Sequence, residues 1–229
     1  MNHFAIAIDG PSGAGKSTLA KKLAGRLGII YVDTGAIYRT VGCYVKRKGV
    51  DPKDAAAVAA LLPEIRVELC FGEDGLQRMM LCGEDVTTEI RLPEMSIYAS
   101  DVSAHPEVRA FLLEMQRSLA RTHSVIMDGR DIGTVVLPDA ELKVFLTADV
   151  RERARRRFLE LEQRGTPEPY EKVLEEMKQR DYNDSHRAAA PLKQADDAVL
   201  LDTTDLDFAD SEAALLQLVE EKLGVKPCR

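Results

Sequence analysis

Lys16, Ser17 and Thr18 close a nine-residue run, Gly10-Pro11-Ser12-Gly13-Ala14-Gly15-Lys16-Ser17-Thr18, that fits G-x-x-x-x-G-K-[ST]. These residue types at this spacing suit the holding of a polyphosphate. The glycines let the backbone turn its N–H groups toward an anion, and the N-terminus of a following helix adds a partial positive charge. Lys16 would reach the β- and γ-phosphates, and the Ser17 hydroxyl would ligate Mg²⁺. A nucleoside triphosphate site is therefore expected at Gly10–Thr18. Lys16 is expected to act through its charge and to pack against little.

Further along, Asp128 ends an apolar strand, where a carboxylate could act on Mg²⁺ through water. Gly129-Arg130-Asp131 follows at once; as a bare pattern it could also be a polar turn. Five arginines fall between Arg151 and Arg157. Arg153 and Arg157 share one helical face, just before a Gly/Pro-bounded segment, Gly165–Pro169, that can hinge. That suits a lid closing over the triphosphate, with a solvated charged face as the plainer alternative. Arg180, Asp181, Asp184 and Arg187 repeat charge at three- and four-residue spacing. On a helix they would form one stripe, either a salt-bridged surface or two phosphate-binding arginines oriented by carboxylates. Spacing alone leaves both open.

The elements that must position these groups alternate in type. Phe4–Ile8 reads as a buried strand before the glycine loop. Leu19, Leu23 and Leu27, with Ala20 and Ala24, mark the helix after it, ending at Gly28. Ile29–Val32 is a second strand, and a helix runs from the Asp33 region to about Arg47. Ala55–Leu62 is helical and closed by Pro63. Glu64–Phe71 alternates polar and apolar, 72–75 is turn chemistry, Leu76–Cys82 is another strand and Glu84–Val86 a brief return. Then come a helix over about Val108–Arg121, strands at Val125–Asp128 and Lys143–Leu146, and a basic helix opened by an Asp149-x-x-Glu152 capping box. Glu171–Arg187 is helical, Val199–Asp202 a last strand and Ser211–Leu223 a closing helix. Five short apolar strands alternating with helices predict an α/β fold with a doubly wound parallel sheet and a small antiparallel insertion. Ligands are expected at the C-terminal strand ends.

At 229 residues, with 45% hydrophobic and 30% charged, the composition is that of a globular domain carrying an insertion. A net charge of −7 argues against a general nucleic-acid coat. The apolar run at the N-terminus is too short for a signal peptide or a membrane span. Cys43, Cys70, Cys82 and Cys228 show no C-x-x-C pairing, so reduced thiols and a cytoplasmic location are expected. The four histidines lack metal-ligand spacing.

Taken in order, the glycine loop, Asp33-Thr34-Gly-Ala-Ile-Tyr-Arg39, Gly129-Arg-Asp-Ile-Gly-Thr-Val-Val-Leu-Pro-Asp139 and Arg180-Asp-Tyr-Asn-Asp-Ser-His-Arg-Ala-Ala-Ala-Pro191 resemble the bacterial cytidylate kinases. The resemblance runs from the first strand nearly to the C-terminus. It implies ATP and Mg²⁺ as phosphoryl donor and cofactor, and CMP or dCMP as acceptor. It further implies one P-loop kinase domain over 1–229, with a nucleoside-monophosphate-binding insertion at 63–102 and a lid at 153–170. Carried over by residue, it implies that Ser100, Arg109 and Asp131 face cytosine. Arg39, Arg130 and Arg187 would face phosphate, and Arg180 and Asp184 the sugar, with Asp33 and Thr34 beside them. Thr34 replaces the family's frequent Ser and keeps its hydroxyl. Ser17 stands where the family usually has Gly, which leaves open whether Ser17 or Thr18 is nearer the metal. Lys16, Arg130, Asp131, Arg153, Arg157 and Arg187 would carry the transfer. Partners would be nucleotides, with neither nucleic acid nor membrane, and the enzyme a monomer. An adenylate or shikimate kinase would not explain the insertion. A GTP-dependent switch should carry Asn-Lys-x-Asp, which this sequence lacks.

Overall fold

The computed structural model describes residues 3–73 and 76–226. The turn residues Asp74 and Gly75, and Cys228, lie outside the described residues. The chain divides into two compact units, 1–31 with 120–229, and 32–119. The first passes into the second within strand β2 (Ile30–Asp33).

The first unit is built on β1 (Ala5–Asp9), β6 (Val125–Gly129), β7 (Leu142–Thr147) and β8 (Val199–Asp202), in a five-stranded sheet ordered β2-β6-β1-β7-β8. β1 runs parallel to β6 and β7, and β7 parallel to β8. β1 and β6 are buried along their whole length, which is why both read as short continuous apolar runs. Each ends in a carboxylate region: Ile8 pairs with Asp128 and Asp9 with Gly129. Helix α1 (Lys16–Leu27) lays Leu19, Leu23, Leu27, Ala20 and Ala24 onto Ile6, Ile8, Ile126 and Val144. It starts at Gly15 in a left-handed conformation, with no side-chain cap, and stops at left-handed Gly28. Helices α6 (Val150–Gln163) and α7 (Tyr170–His186) pack on one another through Ala154, Val173, Leu174 and Met177. α8 (Phe208–Leu223) closes the unit.

The second unit holds α2 (Thr34–Arg47), α3 (Ala55–Leu61), an antiparallel sheet of β3 (Val67–Phe71), β4 (Gln77–Leu81) and β5 (Glu84–Asp85), then α4 (Met95–Val102) and α5 (Pro106–Thr122). Gly42 lets α4 approach α2: a Cβ there would stand 2.9 Å from the Tyr98 Cβ.

Several expectations need correction. The sequence reading places no helix at α4, although Met95, Ala99 and Val102 recur at helical spacing on its buried face. Asp149 caps α6 through the Arg151 N–H at 2.8 Å, but Glu152 does not complete a reciprocal box. It turns forward to Arg155 and Arg156, whose two guanidinia outbid a single backbone N–H. α7 ends at His186, so Arg187 is an extended residue beyond the helix and the charge stripe is broken.

Candidate active site

The glycine loop joins β1 to α1 in the first unit. At Gly10, with φ +149°, a Cβ would fall 1.9 Å from the Leu146 carbonyl oxygen, so only glycine lets the loop leave the sheet there. Lys16 is buried and donates to the Pro11 carbonyl at 2.7 Å. The expectation that it packs against little fails, because the loop folds back over its stem. Burial pushes its ammonium down to about 7, helped by the positive charges of Arg130 and Arg180 and opposed by Asp128 and Asp9. Cations from the loop, from the end of β6 and from α7 thus share one field, which favours an anion.

Ser17 Oγ donates to Asp128 Oδ2 at 2.8 Å, and Tyr31 Oη donates to Asp128 Oδ1, also at 2.8 Å. Hydroxyl and carboxylate oxygens are the donor set of a hard divalent cation, so the pair fits Mg²⁺. Among the described residues, no group of three or more His, Cys, Asp or Glu side chains gathers to hold a metal.

Beyond β6, Arg130 Nε donates to Asp184 Oδ2 at 2.7 Å, and Arg187 Nη2 lies 3.7 Å from Asp131 Oδ1. Asp131, Asp184 and the Arg187 side chain are all buried, whereas Tyr182, Asn183, Ser185 and His186 are exposed, so the Arg180–Arg187 segment turns Asp184 and Arg187 inward and its other face to solvent. Burial would raise the Asp184 carboxyl, but the guanidinia of Arg130, Arg180 and Arg187 outweigh it and hold it below the ordinary range. Arg187 is fixed from its other side by Nε donating to the Ala190 carbonyl at 2.8 Å.

Arg153 and Arg157 do not act as a matched pair. Arg153 is buried and donates to the carbonyls of Ala148 and Ser12 and to both oxygens of Asp181. Arg157, one turn on, is a third exposed and pairs with Glu160 at 2.8 Å. In sequence Asp181 reads only as part of a stripe; its partner stands 28 residues away.

In the second unit, Asp33 caps α2 through the Ala36 N–H at 2.8 Å and accepts from Arg39 Nη2 at 2.9 Å. Arg39 Nε is a buried donor with no hydrogen-bond partner among the described residues. Gln77, which the sequence did not mark, accepts from the Asp33 N–H at 2.9 Å. Thr34 is buried at the start of α2. Arg109 on α5 is buried, donates to the Ser103 carbonyl at 3.0 Å and lies 5.3 Å from the Tyr38 ring centre. Ser100 on α4 accepts from the Ser103 hydroxyl through its carbonyl at 2.9 Å. This unit gathers Asp33, Thr34 and Arg39 at the start of α2, and the first unit gathers the loop with Asp128, Arg130, Asp131, Arg180, Asp184 and Arg187.

A family model for cytidylate kinase matches residues 6–221. The cytidylate kinase of Caldicellulosiruptor bescii is 51% identical over 220 residues, covering 95% of this chain and 96% of its own length. That of Caldicellulosiruptor saccharolyticus is 48% identical over 226 residues, with coverages of 98% and 99%. The solved structure of an uncharacterized protein from Eubacterium ventriosum has a TM-score of 0.52 at 15% identity, covering 96% of this chain and 99% of that one. At that identity the likeness bears on fold alone. No helix among the described residues is long and apolar enough to cross a membrane.

Proposed function

The chain belongs to the cytidylate kinase family, and on that premise we propose that it transfers the γ-phosphoryl group of ATP to CMP or dCMP, giving ADP and CDP or dCDP. The acceptor phosphate is already an anion, so no strong general base is needed, and catalysis is positioning and charge neutralisation. The chief support within the molecule is the positive field that buried Lys16 shares with Arg130 and Arg180, whose charges add to burial in pushing the lysine down to about 7. A triphosphate entering that field would return the proton to Lys16.

In this reading the Gly10–Thr18 backbone holds the donor phosphates and Lys16 bridges toward the γ-phosphate. Ser17, with Asp128 through water, would hold Mg²⁺, which when bound supplies charge neutralisation at the β- and γ-oxygens. Arg39, Arg130 and Arg187 take the acceptor phosphate. Arg180 and Asp184 take the sugar, and Ser100, Arg109 and Asp131 the base, with Asp33 and Thr34 at the start of α2 beside them. A carboxylate at Asp131 accepts from the N4 amine of cytosine and repels the O4 of uracil. We assign residues 63–102 as the acceptor-binding insertion and 153–170 as a lid. Arg157 is readily turned toward phosphate from its exposed pair, whereas Arg153 would first have to give up Asp181.

A coupled assay with ATP and Mg²⁺ tests the assignment by comparing CMP, dCMP, UMP and AMP as acceptors. CMP and dCMP should exceed UMP and AMP by at least about tenfold in kcat/KM, the effect of one unpaired buried polar group. Equal rates with AMP would reject it.

A further inference from the structure

Asp9 ends β1 one residue before the glycine loop and falls outside the loop pattern. It is 5% exposed, with Oδ1 accepting from the Ile132 N–H at 2.8 Å and Oδ2 from the Gly133 N–H at 2.7 Å. These are the first two N–H groups of a single π-helical turn, Ile132–Val136, that follows Arg130 and Asp131 directly. Asp131 stands at the head of that turn without capping it. Asp9 supplies the missing cap from another strand.

The joint is closed from the far side as well. A Cβ at Gly133 would lie 3.4 Å from Asp9 Oδ2 and 3.2 Å from the Lys143 Cδ. Lys143 is held by both oxygens of Asp197, at 2.9 and 2.7 Å. Gly133 is therefore wedged between a carboxylate and a fixed lysine stem.

Two donors facing two acceptor oxygens require a carboxylate. An asparagine would present one acceptor and set its NH₂ against the second N–H. Keeping a charge there works against burial, which pushes the Asp9 carboxyl up to about 6, with Asp131 adding to the rise and the two N–H groups and Lys16 opposing it. An apolar side chain would be the cheaper filler of such a site.

The geometry points to Asp9 as a positioning residue that aims Asp131, at the head of the capped turn, toward the acceptor nucleotide from the strand that carries the phosphate loop. This rests on the reading that Arg130 and Asp131 bind the acceptor. The loop itself is pinned by other contacts: Gly10 against Leu146, Lys16 on the Pro11 carbonyl, and Arg153 on the Ser12 carbonyl. Asp9 reaches Lys16 only by charge, behind burial, Arg130 and Asp128, so loss of its cap should largely spare the donor side.

Steady-state kinetics of full-length Asp9→Asn, Asp131→Asn and the double variant, with ATP and Mg²⁺, test this. Asp9→Asn should raise the KM for CMP about tenfold and leave the KM for ATP within about twofold. If Asp9 acts through Asp131, the double variant should be no more than about twofold worse than Asp131→Asn alone. KM values for ATP and CMP rising together, or multiplicative losses in the double variant, overturn the assignment. A selective effect of Asp131→Asn with none for Asp9→Asn keeps the acceptor site and discards the role of Asp9. No effect of Asp131→Asn discards both. Should Asp9→Asn fail to fold, Asp9→Glu keeps the charge and both acceptors while displacing the turn by a methylene. The same split between the two KM values is then required, and its absence is decisive against the proposal.

Discussion

Arg153 closes a bidentate ion pair on Asp181, Nη2 to Oδ2 at 2.6 Å and Nη1 to Oδ1 at 3.2 Å, while the same Nη1 reaches the Ser12 carbonyl at 2.9 Å. Its Nε is taken by the Ala148 carbonyl at 2.8 Å. One guanidinium therefore ties the phosphate loop to α6 and α7. Removing it leaves Asp181 and two carbonyls unpaired in a site where the arginine side chain is only 6% exposed. Arg153→Ala should cost on the order of 3 kcal/mol, the scale for breaking a buried pair. Arg157→Ala, at a third exposure, should cost under about 1 kcal/mol. Denaturant melts of the two variants measure the difference, and equal midpoints would contradict it.

Lys16 gives a pH dependence with a definite sign. Burial and the nearby arginines push it down from 10.5 to about 7. Between those values the unfolded chain binds a proton that the folded chain does not, so this residue makes stability rise with pH across that window. A bound triphosphate favours the ammonium again. ATP binding at pH 8 should therefore take up close to one proton, seen as unequal calorimetric enthalpies in buffers of different ionisation heat. Lys16→Met should abolish the inequality. Identical enthalpies for the unaltered protein would count against a depressed lysine.

The strand, glycine loop and helix around Lys16 are legible in sequence because each signal is local: an apolar run, positive-φ glycines and leucines at helical spacing. Contacts between distant residues are less legible. Asp9 looks like the end of a strand, and its partners are backbone N–H groups 123 and 124 residues away, which leave no mark on side-chain pattern. In sequence Arg153 and Asp181 each read as part of a local charge run, yet in the fold they form an ion pair with each other. α4 is hard to read because Ile97, an exposed apolar residue, falls between its buried Met95, Ala99 and Val102 and blurs their helical spacing. The resemblance named Asp131 and Arg187 as site residues; their mutual approach came only from the fold.

The cysteines separate by environment. Cys43 is fully buried, and its thiol is pushed up to about 12 by burial and by its hydrogen bond to Glu89 at 3.2 Å. Cys70 and Cys82 are exposed. The thiolate is the reactive form, so iodoacetamide at pH 8 should modify Cys70 and Cys82 well before Cys43. Peptide mapping by mass spectrometry reads the order, and early alkylation of Cys43 would show that α2 opens.

Arg187 and Arg180 should differ in kinetics and in stability. Arg187 lies past the end of α7, 3.7 Å from Asp131, with its Nε on the Ala190 carbonyl. If it grips the acceptor phosphate, the contact strengthens as charge redistributes in the transition state. Arg187→Ala should then lower kcat by at least about tenfold as well as raise the KM for CMP. Because it also leaves buried Asp131 without that neighbouring cation, a lower melting temperature should accompany the loss. Arg180→Ala, on the sugar side, should act mainly on the KM for CMP. Lys16 should meanwhile regain proton affinity, because the Arg180 charge helps depress it. Steady-state kinetics beside thermal melts separate the two roles. Equal kinetic effects below about threefold in both variants would remove the Arg180–Arg187 segment from the acceptor site.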